Sequence, residues 1–220
     1  MTKVVAVIPI KTNNQRLPGK NTKILGDYPL YHFMFTTVKK VQNIDEVWVD
    51  SSDPEILSIA SDYGFKTIKR PTELNSPHTS GHDLINFEIK NTNLKRDDIF
   101  VQLFVTQPFI TYSTIQTSID KLLVSRGKTS ILSLFPVENR FWYNNTPVSH
   151  SPTLLKGTQY EEPVYCEAGY YIFKVGAFLN EQSRITKDFI PYYVDSSQCL
   201  DIDNEIDFKL AEYYLENKLI

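Results

Sequence analysis

The sequence predicts an α/β fold: a mostly parallel sheet with helices on both faces. Two observations carry this. Short apolar, β-branched runs alternate with longer segments of helical period through most of the chain, the pattern of strand–helix–strand crossovers. The first of these runs, Val4–Ile10 (VVAVIPI), has no polar alternation, as expected of a strand buried on both faces.

The elements follow in order. After the strand at Val4–Ile10, Pro29–Val41 reads as a helix, with apolar residues at Leu30, Phe33, Met34 and Val38. Glu46–Val49 is a second strand. Asp53-Pro54-Glu55 then opens a helix, with Asp as cap, Pro in the first turn and Glu favoured by the dipole; it ends near Gly64. Lys66–Arg70 is a third strand and Gly81–Asn91 a helix. Ile99–Thr106 is a further buried strand, followed by a helix starting around Thr111–Ser113. Thr129–Val137 is a strand. Residues 138–165 read as an irregular, aromatic and polar excursion. Gly169–Lys174 and Ile190–Val194 are strands, and Asn204–Leu219 closes as a helix. No internal repeat or low-complexity stretch divides residues 1–220, so a single domain with 138–165 as its excursion is expected.

Composition narrows the function. Hydrophobic residues make up 41% and charged residues 22%, typical of a water-soluble globular protein. The net charge of −3 supplies no basic field for nucleic acid, so any anion must be held by a local cluster. Cys166 and Cys199 lie far apart in no metal spacing, which fits a reduced, cytoplasmic setting. The opening MTKVVAVIPIK has too short an apolar run for a signal peptide, and no window reaches the ~20 apolar residues of a membrane helix.

The local cluster is the stretch KTNNQRLPGKN after the first strand. Lys11, Arg16, Lys20 and Lys23 put cations on one loop at the carboxyl rim of the sheet, where open α/β sheets bind ligands. A triphosphate carries about four negative charges, which Lys and Arg neutralise through charge-assisted hydrogen bonds. Asn13, Asn14 and Gln15 add donors, and Gly19 permits close backbone approach. Neither a GxxxxGK[ST] loop nor a GxGxxG fingerprint is present. The same residues also suit an unliganded, solvated loop.

Near the C-terminus, Asp201 and Asp203 are two apart, so an extended backbone points both to one face and a divalent cation can be shared. Asp203 could equally cap the last helix. His78 and His82 are four apart, but zinc needs a third ligand and no Cys lies near them. Asp50 either faces the rim or caps Ser51 and Ser52. Phe141-Trp142-Tyr143 suits an interface.

The stretch VIPIKTNNQRLPGKNTKILGDYPL resembles the first motif of the cytidylyltransferases that activate sialic acid and related acidic sugars, the CMP-sugar-acid synthetases. Pro18, Lys20, Asn21, Gly26, Pro29 and Leu30 carry that likeness. Gln15 to Lys20 (QRLPGK) is also similar to the sister family that activates 3-deoxy-octulosonate. Arg70-Pro71-Thr72-Glu73-Leu74 and Leu200-Asp201-Ile202-Asp203 match two further motifs in order, so the likeness spans nearly the whole chain.

The resemblance implies a Rossmann-like sheet, a small dimerisation excursion and a homodimer. It implies transfer of CMP from CTP to a sugar-acid hydroxyl, releasing pyrophosphate and needing Mg²⁺. Carried over, Lys11 and Lys20 hold phosphates, Asn21 lies near the base and Arg70 near the nucleotide; Arg16 joins them on charge. Thr79, Ser80 and Gly81 sit where the family keeps small residues against cytosine and ribose, or serve as caps before a helix. Asp201 and Asp203 hold the metal, and these with Lys20 form the catalytic set. Tyr171, in AGYYIF, lies near the acceptor sugar or is a buried structural tyrosine.

The acceptor side departs from the family pattern. Phe104 and Ile110 stand where the family commonly has Gln and Arg, and Glu167-Ala168 where it has Asn-Gly. Losing an Arg and gaining a Glu removes positive potential where a carboxylate would dock. The nonulosonate-type synthetase is therefore weighed against an octulosonate-type cytidylyltransferase, a glycosyltransferase with an Asp-x-Asp metal site, and a nucleotide-binding module without catalysis.

Overall fold

The computed structural model describes residues 2–220 except residues 12, 13, 77 and 155; Asn13, a candidate donor, lies outside the described residues. Seven strands form the main sheet: β1 (Val4–Pro9), β2 (Glu46–Ser51), β3 (Lys66–Lys69), β4 (Ile99–Gln102), β5 (Ser130–Val137), β6 (Val164–Lys174) and β7 (Phe189–Tyr193). Their order is β7-β5-β6-β4-β1-β2-β3. β4, β1, β2 and β3 are mutually parallel and β7 is parallel to β5, whereas β6 runs antiparallel to β4 and β5. The expected Rossmann-like, mostly parallel sheet is present.

The continuous apolar run of β1 is explained by two cores. Val4, Ala6 and Ile8 face one side with helices α1 (Leu30–Val38), α2 (Pro54–Asp62) and α4 (Tyr112–Val124), through Met34, Phe35, Ile56, Ala60, Ile115 and Ile119. Val5 and Val7 face the other, with α3 (Gly81–Thr92) and α5 (Val175–Glu181), through Ile85, Ile89, Val175 and Phe178. Alternate side chains of one strand thus serve both layers.

A third, smaller cluster sets the site. Leu17, Leu25 and Leu30 pack against Ile202, Phe208 and Ala211, the last two on α6 (Glu205–Glu216). This ties the basic loop after β1 to the C-terminal helix, elements nearly the whole chain apart in sequence. A short ribbon, Ile24–Leu25 with Tyr28–Pro29, turns at Gly26 and leads into α1.

Several boundaries move. α1 begins at Leu30 because Pro29 takes an extended conformation as its cap. β4 stops at Gln102 rather than Thr106; residues 104–106 turn over the rim instead. α5 is a helix the sequence reading did not include. Residues 164 and 165, expected to belong to the irregular excursion, and 166 and 167, assigned to no element, extend β6: Val164 to Glu167 pair with Val137 to Leu134. This outer half is largely exposed, so no apolar pattern announces it, and a register shift between Glu167 and Tyr171 separates it from the buried half. The excursion itself holds a ribbon, Trp142–Tyr143 with Thr146–Pro147.

Candidate active site

The strands β1, β3 and β4 end at one rim, and a cleft of about 250 Å³ opens there. Its walls carry Lys11 from beyond β1, Lys20 and Asn21 from the basic loop, Arg70 from the end of β3, Phe104 and Thr106 from beyond β4, and Thr79, Ser80 and Gly81 at the start of α3. Every nucleotide-side residue expected from sequence lies on this cleft except Arg16. Arg16 lies in an adjoining cleft that Lys11, Lys20 and Asp203 also line.

The loop is shaped locally. Gly19 adopts φ 66°, the left-handed turn that starts a single 3-10 turn at Lys20–Thr22. Asn14 and Asn21 both donate their amide N–H to the carbonyl of Lys11, at 2.8 and 2.6 Å, drawing the two ends of the loop together. Asn21 is buried and its Oδ1 has no donor among the described residues. A buried amide oxygen without a partner is costly, and a ligand's N–H or O–H would relieve it.

The two halves of the site meet at Asp203. Lys20 Nζ lies 3.1 Å and Arg16 Nη2 2.8 Å from the same carboxylate oxygen. Lys20 is nearly buried, so its ammonium is held rather than swinging in solvent. Ile202 N–H donates to the Thr106 carbonyl at 2.8 Å, which fixes the 201–203 segment against the rim. The alternative role of Asp203 as a helix cap is not what is found. Asn204 caps α6, its Oδ1 accepting from the N–H groups of Ile206 and Asp207 at 2.8 and 3.1 Å.

Asp201 sits beside this pair. Desolvation raises its carboxyl pKa, the neighbouring Asp203 raises it further, and Thr106, Lys20 and Arg16 oppose the rise. Two carboxylates that repel one another, with oxygen atoms only, suit a hard divalent cation completed by phosphate oxygens and water. No group of three or more His, Cys, Asp or Glu capable of holding a metal occurs among the described residues. A cation here would therefore rely on its ligand for most of its coordination.

Other expected residues are placed as follows. Ser80 is the cap of α3: its Oγ accepts from Asp83 N–H at 3.1 Å and the Asp83 carboxylate accepts back from Ser80 N–H at 3.2 Å. Thr79 Oγ1 donates to the Glu73 carbonyl at 3.3 Å. Tyr171 is buried and does not line the cleft; it stands behind Phe104, ring edge to ring face at 6.3 Å. Its hydroxyl donates to Glu167 Oε2 at 2.6 Å, and burial with that hydrogen bond pushes the phenol up to about 12. His82 packs beside Phe178 at 5.9 Å.

Sequence reasoning missed Glu88 and Arg184, and for Asp50 it offered the rim or a cap rather than a buried ion pair. Asp50 is wholly buried at the end of β2 and pairs with Arg70, and Glu88, wholly buried on α3, is its neighbour. Arg184, after α5, lies over the Tyr171 ring with its guanidinium carbon 3.7 Å from the centroid. Glu88 falls on the same stripe as Ile85, Ile89 and Thr92, and an acid on an apolar stripe is a readable sign. Nothing near Arg184 in sequence links it to Tyr171.

A family model described as Cytidylyltransferase matches residues 5–220 of the chain. The chain belongs to the cytidylyltransferase family. As a cytidylyltransferase it is a nucleotidyltransferase enzyme. The chain is 25% identical to the CMP-N,N'-diacetyllegionaminic acid synthase of Legionella pneumophila, over 97% of each chain. It is 23% identical to an N-acylneuraminate cytidylyltransferase of Escherichia coli over 96% of its own length but 51% of that protein's. It is 28% identical to a 3-deoxy-manno-octulosonate cytidylyltransferase of Hydrogenovibrio crunogenus over 53% of this chain and 46% of that one. The chain thus spans about half the length of these last two relatives. In fold it is similar to a CMP:2-keto-3-deoxy-manno-octonic acid synthetase solved with CTP (TM-score 0.73, 16% identity, 99% of this chain and 100% of that one).

Proposed function

We propose that this cytidylyltransferase transfers CMP from CTP to the hydroxyl of an acidic sugar of the nonulosonate type, releasing pyrophosphate, with Mg²⁺ held by Asp201 and Asp203. The convergence of Lys20 and Arg16 on Asp203 carries the reading. Cations in contact with one of two neighbouring carboxylates support a triphosphate and its counterion as the ligand.

In this reading the sugar oxygen forms its bond to the α-phosphorus as the bond to the bridging oxygen of pyrophosphate breaks, and the hydroxyl proton passes to solvent. Lys11, Lys20 and Arg16 neutralise the departing phosphates. Asn21 offers its unpaired Oδ1 to a donor on the nucleoside. Arg70 closes the far wall. The chain's task is to orient and neutralise rather than to form a covalent bond. A divalent cation, when bound, supplies charge neutralisation at the reacting phosphate.

Similarity to a legionaminic acid synthase and an N-acylneuraminate cytidylyltransferase supports an acidic sugar as acceptor. The QRLPGK stretch and the octulosonate relative favour the octulosonate acid as a second candidate. The exposed Trp142, Tyr143 and Tyr160 of the excursion support a second copy of the chain as partner. A cytoplasmic setting accords with use of CTP and with two free cysteines; no described helix is long and apolar enough to cross a membrane. The test is pyrophosphate release from CTP and Mg²⁺ with N-acylneuraminate and with 3-deoxy-manno-octulosonate. Release with either acid is expected. CTP binding without release with any acidic sugar would remove the acceptor class.

A further inference from the structure

The acceptor side departs from the family pattern the sequence resembles, with Ile110 and Glu167 where Arg and Asn are usual, and the fold brings a cation beside Tyr171 from outside those motifs. We propose that Arg184 receives the carboxylate of the acidic acceptor; the proposal rests on the reading above. Arg184 follows α5 and reaches over Tyr171, its guanidinium carbon 3.7 Å from the ring centroid. Its Nη1 donates to Gln102 Oε1 at 3.2 Å, and Gln102 is buried. The contact with the ring and the Gln102 hydrogen bond together restrain the guanidinium.

Arg184 is half-buried. Arg184 has no carboxylate within 4.0 Å among the described residues, although Glu167 lies on the same tyrosine. Glu167 is committed to the Tyr171 hydroxyl instead, at 2.6 Å. The guanidinium therefore keeps donors beyond the one used on Gln102. A planar, pre-oriented fork of N–H groups matches a carboxylate bidentately, which a lysine cannot do.

Its place fits the chemistry. Tyr171 stands between Arg184 on its ring face and Phe104 at 6.3 Å, and Phe104 lines the nucleotide cleft. The Asp201 charge is felt at the Tyr171 phenol. An acceptor that presents its hydroxyl toward the cleft and Asp201 would thus pass Phe104 and Tyr171 and meet Arg184 on the same side of the sheet. Glu167, held at the Tyr171 hydroxyl, would repel a second acidic group and admit neutral hydroxyl or amide substituents.

The test compares wild type with Arg184→Gln and Arg184→Lys, using the acid of N-acylneuraminate or 3-deoxy-manno-octulosonate that the wild type turns over, and its methyl ester. CTP binding is followed by calorimetry in each protein and folding by thermal melting. In Arg184→Gln the KM for the acid is expected to rise about tenfold or more, with CTP affinity unchanged. Arg184→Lys should fall between, having charge without the fork. Wild type should prefer the acid over the ester, and Arg184→Gln should lose that preference. Equal acid KM in wild type and both variants, with CTP heat intact, would overturn the role of Arg184 and leave the enzyme reading standing. A wild type that binds no CTP, or binds it and turns over neither acid, ends the reading and the inference together. Should Arg184→Gln fail to melt cooperatively, the acid-to-ester ratio of Arg184→Lys decides alone.

Discussion

Arg70 grips Asp50 three ways inside the protein: Nε to Oδ2 at 3.0 Å, Nη2 to Oδ2 at 2.9 Å, and Nη2 to the Asp50 carbonyl at 3.0 Å. The pair joins the end of β2 to the end of β3, and Arg70 also lines the cleft. Both residues are almost without solvent contact. The ion pair thus sets the position of a cleft wall from behind.

Removing one member of a buried pair leaves the other charge uncompensated, at a cost of about 3–5 kcal/mol. Asp50→Asn is expected to lower the melting temperature by about 6–20 °C, given ~2–4 °C per kcal/mol for a chain of this size. Replacing both residues together should cost less than the two single changes summed. A thermal-melting cycle of Asp50→Asn, Arg70→Gln and the double variant measures this; additive losses would mean that the two side chains do not depend on each other.

Glu88 extends the relationship. Neither of its carboxyl oxygens meets a donor among the described residues, and Asp50 Oδ1, the oxygen Arg70 leaves free, has none either. Two carboxylates can bond only through a proton. Asp50 holds the guanidinium and is the ionised member, so the proton sits on Glu88. Burial, then the Asp50 charge and the hydrogen bond to it, raise the Glu88 pKa well above the usual carboxylate value, against a smaller opposing effect of Arg70.

A folded-state pKa above the unfolded one means that the native protein binds the proton more tightly. Stability from this group is full below the unfolded value near 4.5 and is lost as pH rises toward the folded value, by about 1.4 kcal/mol per pH unit. Glu88→Gln keeps a neutral donor without the titration. It is expected to be more stable than wild type at neutral pH, with the difference shrinking as pH falls toward 4.5. Urea melts of both proteins from pH 4.5 to 8 read this; a pH-independent difference would place the proton elsewhere.

The sheet and the rim were legible in the sequence because they are local. Val4–Ile10 declares a doubly buried strand by its own composition, and the loop after a parallel strand must lie at the carboxyl rim. Lys11, Lys20, Asn21 and Arg70 could be placed together from motifs alone. The buried chemistry behind them was not. Glu88 makes sense only when α3 is laid over β2, and Arg184 only when the segment after α5 is laid over β6, each a matter of packing between elements distant in sequence. The outer half of β6 failed for a third reason: a strand beyond the helix-covered core has no apolar pattern to show.

The register shift in β6 rests on Gly169, whose φ is 77°. A Cβ there would lie 1.7 Å from Gln107 Nε2, and Gln107 is itself buried. Gly169→Ala therefore meets both a disfavoured backbone conformation, about 1–2 kcal/mol, and a clash. A loss of about 2–4 kcal/mol in urea unfolding is expected. A near-neutral result would show that Gln107 has another place to go.

Binding and chemistry are separable at Lys20 and Asp201. Lys20 Nζ and Arg16 Nη2 both rest on Asp203 Oδ1, so the carboxylate pre-orients the cations that the proposed triphosphate must use. Lys20→Ala removes a nearly buried phosphate contact, and the KM for CTP should rise about tenfold to a hundredfold, as for a lost charge-assisted hydrogen bond. Asp201→Asn keeps the shape of the segment that Ile202 anchors on Thr106. Asp201 is exposed and sits beside another carboxylate, so the change should leave the melting temperature within about 2 °C of wild type. Its kcat should nonetheless fall by about a hundredfold or more, if its charge serves the reacting phosphate. Steady-state kinetics in CTP beside melting curves distinguish the two. Unchanged kcat in folded Asp201→Asn would take this residue out of the metal pair, and unchanged CTP kinetics in Lys20→Ala would take Lys20 out of the cradle.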